Sequence, residues 1–112
     1  MKSDQVYVIH IRECIERIER YTSQGREAFS NETMAQDAVL RNLHVMAESM
    51  LHLSKAFRTR FSDIDWRAIA GFRNVIVHDY LGLDLKQIWD IVEGDLPELK
   101  RIFFSLDREG NQ

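Results

Sequence analysis

The apolar positions of this chain recur at three- and four-residue steps almost from end to end, the spacing that gathers side chains onto one face of an α-helix. Tyr7, Ile11, Cys14 or Ile15, Ile18 and Tyr21 make the first such face, with Arg12, Glu13, Glu16 and Arg17 between them and Gly25 near its end. A short turn or helical fragment around Arg26 to Asn31 leads to Val39, Leu43, Met46, Met50, Leu53 and Phe57. Their alternating steps of four and three predict the longest helix, running from about Glu32 to Arg58.

In FSDIDW, the residues Ser62, Asp63 and Asp65 are candidate N-caps for a third helix that starts near Asp65 and continues through IAGFRNVIV. The β-branched run Val75 to Val77 lies inside a helical period and reads as helix. Fraying is expected from His78 to Gly82, where glycine can take the left-handed conformation that ends a helix. Asp84 then caps LKQIWDIVEG, and Pro97 opens a last turn or helix through LKRIFFSL. With no strand-like alternation, internal repeat or linker, the expectation is an all-α, up-down bundle of four to five helices. It forms a single domain over residues 1–112, with 106–112 as a loose tail.

Composition narrows the class. Hydrophobic residues at 45% beside charged residues at 29% support a folded core under a solvated surface and exclude a disordered chain. The net charge of −3 argues against a broad, nonspecific hold on nucleic acid. It leaves room for a local basic cleft, to which Arg58, Arg60, Arg67 and Arg73 are candidates. The one cysteine, Cys14, has no internal disulfide partner and reads as a buried, inert thiol. No apolar run approaches the roughly eighteen residues of a membrane span, and MKSDQVYV lacks the layout of a signal peptide. No membrane association and a cytoplasmic location are expected.

Candidate chemistry concentrates in FRNVIVHDY. On a helical wheel Ile69, Phe72, Ile76 and Tyr80 share one side, with Arg73 and Val77 at its edge, while Arg67, Gly71, Asn74 and His78 share another. A histidine can exchange a proton with a ribose 2′-hydroxyl or a leaving oxygen, and an arginine can stabilise charge on phosphate. Arg73 and His78 nevertheless diverge by about 140° on an ideal helix. Three arrangements would let them cooperate: the reach of arginine, a helix end unwound near His78, or a second copy of the same face across a two-fold axis.

Elsewhere the residues favour structure over chemistry. His44, Glu48 and His52 are four apart on one helix face, a poor metal set without cysteine and more simply a polar stripe, so no metal and no cofactor are expected. Met34, Met46 and Met50 read as core, and Trp66 and Trp89 as packing anchors. Of the adjacent Phe103 and Phe104, one is left over for a subunit interface.

From about Asn42 to Leu99, and above all in WRAIAGFRNVIVHDYLGLDLKQIW, the chain resembles the HepT-like (DUF86-type) branch of the HEPN proteins. The pattern of Arg, four residues, His, one residue, Tyr is matched by Arg73, His78 and Tyr80, and Asn74 fits a preference for a polar residue after the arginine. Where the family commonly has a Gly-Glu-Ala turn in the long helix, this chain has Ala47, Glu48 and Ser49, so that Glu48 is kept and able to pair with Arg73. The resemblance implies a symmetric homodimer acting as a metal-independent endoribonuclease, with RNA as substrate and tRNA among the family's targets. Arg73 and His78 would be catalytic, with Asn74 and Glu48 in support. It further implies the toxin of a type VII toxin–antitoxin system, silenced when a minimal nucleotidyltransferase adds AMP to Tyr80, itself an RNA contact. The competing expectation is a non-catalytic helical module that binds such a nucleotidyltransferase or its nucleotide.

Overall fold

The computed structural model describes residues 3–78 and 84–106, and only the main chain of Val77 and His78. The first helix, α1 (Asp4–Tyr21), buries Val8, Ile11, Cys14, Ile15 and Ile18, one face at helical spacing. Tyr7 and Tyr21 lie at the margins of that face, half-buried and exposed respectively. Thr22 ends the helix by donating its hydroxyl to the Ile18 carbonyl at 2.8 Å. Gly25 then turns the chain at φ 95°, a conformation that a side chain would strain.

A short α2 (Arg26–Ser30) sets Phe29 into the core. The Gln36 side-chain amide donates to the carbonyls of Phe29 at 3.0 Å and Ser30 at 3.1 Å, which fastens α2 to α3 (Thr33–Leu51). The long helix expected to reach Arg58 stops at Leu51. Ser54 caps a separate α4 (Lys55–Arg60), its hydroxyl accepting from the Phe57 amide at 3.1 Å. Asp4 holds that corner, accepting from the Ser54 amide at 2.8 Å and from its hydroxyl at 2.6 Å. The break interrupts little of the apolar pattern, because Leu53 is buried and Phe57 packs on the core from the new helix. The start of α1 therefore meets the end of α3, and the two helices run antiparallel.

Asp65 caps α5 (Trp66–His78) through the Ala68 amide at 3.0 Å, as its position before the periodic run predicts. Asp84 and Gln87 form a reciprocal capping box at the head of α6 (Leu85–Asp90). Pro97 stands at the start of the last helix, as expected, but no loop separates that helix from α6. A π-helical turn (Ile91–Asp95) carries the chain from α6 straight into α7 (Leu96–Ser105), with the Leu96 amide donating to Ile91. Pro97 sits in the first turn of α7, where a missing amide hydrogen costs little.

Arg12 Nε donates to the Phe103 carbonyl at 2.8 Å and Lys100 pairs with Glu19 at 2.9 Å, so α7 runs antiparallel to α1. Phe103 is fully buried and stacks on Phe57, with centroids 6.0 Å apart. Phe104 stays half-buried under the Lys100 ammonium. Trp89 is buried against Phe29, and Trp66 packs edge-on to Phe57. Met46 and Met50 are core, but Met34 is 79% exposed. Leu106, assigned by pattern to the tail, is buried in the core; 107–112 lie outside the described residues.

Over the described residues the architecture is all-α, with four long segments (α1, α3, α5 and α6 through α7) and the short α2 and α4 between the first three. Among the described residues there is no strand, and no helix is long and apolar enough to cross a membrane.

Candidate functional site

The wheel drawn for α5 matches its burial. Ile76 is buried, Ile69 and Phe72 are half-buried, and Arg67, Gly71 and Asn74 face solvent. Arg73 lies on the boundary between the two sides, where α5 packs on α3, and from there it reaches Glu48. Its Nε–H donates to Glu48 Oε1, and one Nη donates to Asn74 Oδ1 at 3.2 Å. The two charged side chains are each about a third exposed, at 36% and 34%. The ion pair thus fixes one edge of the guanidinium while leaving the group in reach of a ligand in solvent.

The hydrogen bond from Arg73 holds the Glu48 carboxyl below the usual carboxylate range, against an opposing push from burial. The charge of Arg73 and the neighbouring His44 and His52 add to the lowering. Glu48 Oε2 faces His52 Nε2 at 3.8 Å, and the His52 ring stacks on Tyr7 with centroids 5.3 Å apart and planes 23° apart. His10 meets the other side of this group, edge-on to Tyr7 at 6.5 Å. What the sequence presents as a polar stripe on α3 is the middle of a connected series from α1 to α5.

Of the sequence-predicted site residues, Arg73, Asn74 and Glu48 are brought together. The helical main chain of α5 continues through His78, so the 73–78 segment is not unwound and the two positions keep their divergence of about 140°. The His78 side chain and Tyr80 lie outside the described residues. Arg58 and Arg60 serve packing: Arg58 donates to the Leu51 carbonyl at the end of α3 and lies 5.7 Å from the Trp66 ring centre, while Arg60 stacks on Phe61. Cys14 is buried, and desolvation pushes its thiol up to about 11, which makes it unreactive at neutral pH. Among the described residues no group of three His, Cys, Asp or Glu could hold a metal ion.

The sequence pattern misses two members of the cluster. Tyr7 looks like an ordinary core position, and His52 like one of two equivalent histidines beside Glu48; only the packing of α1 on α3 tells His52 from His44. It also gives no sign of a groove of about 530 Å3 between α3, α5 and α7, floored by Leu43, Met46, Met50, Phe72, Leu99 and Ile102. Neither Arg73 nor Glu48 lines that groove. Its apolar floor suits packing against another surface more than proton transfer.

Comparison with known proteins adds what one chain lacks. The family model described as "Ribonuclease HepT-like" matches residues 11–105. A protein of Thermococcus cleftensis named "Probable ribonuclease HepT" is 33% identical over 94% of this chain and 96% of its own length. A "Putative RNase" of Caldanaerobacter subterraneus subsp. tengcongensis is 33% identical over 90% of this chain and 91% of its own. A Methanocaldococcus jannaschii protein named "Gamma-glutamylcyclotransferase and putative RNase" is 35% identical over 98% of this chain, which spans only 52% of that protein. No solved structure matches significantly. A helical bundle that presents Arg73 on α5 to Glu48 on α3, matched along nearly its whole length by this family model and these relatives, belongs to the HepT-like family of ribonucleases.

Proposed function

We propose that the protein is a metal-independent endoribonuclease, the toxin of a type VII toxin–antitoxin pair, acting on cytoplasmic RNA with tRNA among its targets. The observation that carries this reading is the Arg73 guanidinium, held at Nε by Glu48 and at one Nη by Asn74 and still partly open to solvent, in a chain of a ribonuclease family. Arg73 stabilises the charge that develops on phosphate as the ribose 2′-oxygen attacks phosphorus. His78 takes the 2′-hydroxyl proton or returns one to the leaving oxygen.

An intact helix between Arg73 and His78 favours action as a symmetric pair, in which the two faces meet and the Arg73 of one copy works beside the His78 of the other. The partner that controls the toxin is a minimal nucleotidyltransferase that adds AMP to Tyr80. The added phosphate brings negative charge and bulk beside the cleft, opposing RNA phosphates. RNA cleavage in the presence of a chelator tests the reading. Wild type should cut tRNA or total RNA while Arg73→Ala and His78→Ala leave it intact. If folded wild type cuts no more than the two variants yet binds the nucleotidyltransferase, the protein is a non-catalytic binding module instead.

A further inference from the structure

The two oxygens of Glu48 serve different cations: Oε1 accepts from Arg73 Nε–H, and Oε2 lies 3.8 Å from His52 Nε2. While His52 is neutral, the carboxylate cancels the charge of Arg73, so the pair offers an incoming phosphate no net attraction. A proton on His52 changes the sum to a single positive charge and draws carboxylate density towards Oε2. Among the described residues, the groups facing this point are few. They are Tyr7 and, behind it, His10 on α1; His44 and Glu48 on α3; and Arg73 with Asn74 on α5. Asp4, the nearby carboxylate at the start of α1, is occupied by the amide and hydroxyl of Ser54. Tyr7 lies flat against one imidazole face, which limits ring rotation and keeps Nε2 on the Glu48 side.

We propose that His52 is a positioning residue of this site: its protonation loosens the hold of Glu48 on Arg73, leaves the cluster with net positive charge, and so couples docking of an RNA phosphate at Arg73 to proton uptake. The inference rests on Arg73 being the phosphate contact, and it assigns a role to a residue outside the Arg73, His78 and Tyr80 set. His52 has a side chain 59% exposed, so its replacement leaves the core untouched.

The probe is a 2′-O-methyl RNA oligonucleotide, which carries the phosphates but lacks the hydroxyl needed for cleavage. Its affinity is measured from about pH 5.5 to pH 8, a range that spans histidine titration. Wild type should bind roughly fivefold more weakly at the upper end through this group, the scale of one partly exposed charge. His52→Gln should remove that part of the slope, and His44→Gln, which keeps His52, should retain it. A second measurement needs no RNA: the Arg73 Nε–H resonance should move as pH falls in wild type and stay fixed in His52→Gln. If the oligonucleotide binds and His52→Gln follows the wild-type pH profile, the proposal is overturned. If the oligonucleotide binds at no pH, the phosphate reading of Arg73 falls and takes the coupling with it.

Discussion

The corner between α3 and α4 gives the sharpest test of how this fold departs from its apolar pattern. Ser54→Ala removes the hydroxyl that accepts from the Phe57 amide and donates to Asp4 Oδ2, but leaves the backbone bond from the Ser54 amide to Asp4 Oδ1 in place. Loss of an N-cap costs about 1 kcal/mol. The bond to Asp4 is short but solvent-exposed, so its loss adds only about 0.5 kcal/mol. The sum, about 1.5 kcal/mol, lowers the melting temperature by roughly 5 °C for a domain of this size. Urea unfolding of Ser54→Ala, Asp4→Ala and the double variant measures it. The two single changes should be non-additive by about 0.5 kcal/mol, because they share one bond.

A Ser54→Ala protein within about 0.3 kcal/mol of wild type, with more helix by circular dichroism, would refute the reasoning. It would mean that α3 prefers to continue into α4 and that the cap follows the break without causing it. The same variant should also disturb the Tyr7 to His52 stack, since Ser54 and Asp4 fix the start of α1 against the end of α3 two residues from His52.

Two further outcomes test the core and the ion pair. Phe103→Ala, at a fully buried ring stacked on Phe57, should cost about 3–5 kcal/mol in urea unfolding, and a loss under about 1 kcal/mol would show that the site collapses around the change. The Glu48 carboxyl is depressed in the folded state, so the native protein binds fewer protons there than the unfolded chain. Its stabilising effect is present above the unfolded carboxylate value near 4.3 and fades as pH falls through the lower folded value. Unfolding free energies between about pH 3 and 6 should therefore show a shallower acid slope in Glu48→Gln than in wild type; with the pair partly exposed, the difference stays under about 1 kcal/mol. Equal slopes would show that the ion pair with Arg73 is not maintained in solution.

Features whose causes are local in sequence were legible in advance. Asp65 and Asp84 cap the helices they precede, and the buried face of α1 follows its three- and four-residue steps. The end of α3 was not legible, because Leu53 and Phe57 keep the apolar period across a break made by a serine and by an aspartate fifty residues away. The continuity of α6 into α7 was hidden for the opposite reason. Pro97 is a strong local breaker, yet the π turn before it shifts the hydrogen-bond register so that the missing amide falls in the first turn of α7.

The candidate site shows the same division in its chemistry. A wheel puts Arg73 at the edge of the apolar face of α5, and that edge is where an arginine can lie against a neighbouring helix and still keep part of its guanidinium wet. Which neighbour it meets is a tertiary fact: Glu48 is 25 residues away, and before the fold was known only family resemblance pointed to it. His44 and His52 flank Glu48 at equal spacing, so periodicity treats them alike. They are separated by α1, whose Tyr7 packs on His52, and by the carboxylate geometry that turns Oε2 towards that ring. The site is thus built from ordinary helix-surface residues whose roles differ because of what packs beside them. Moving Glu48 by a single helical position would rotate it by about 100°, remove it from both Arg73 and His52, and press a carboxylate into the buried positions of Ala47 or Ser49, so the site and the packed seam constrain this residue together.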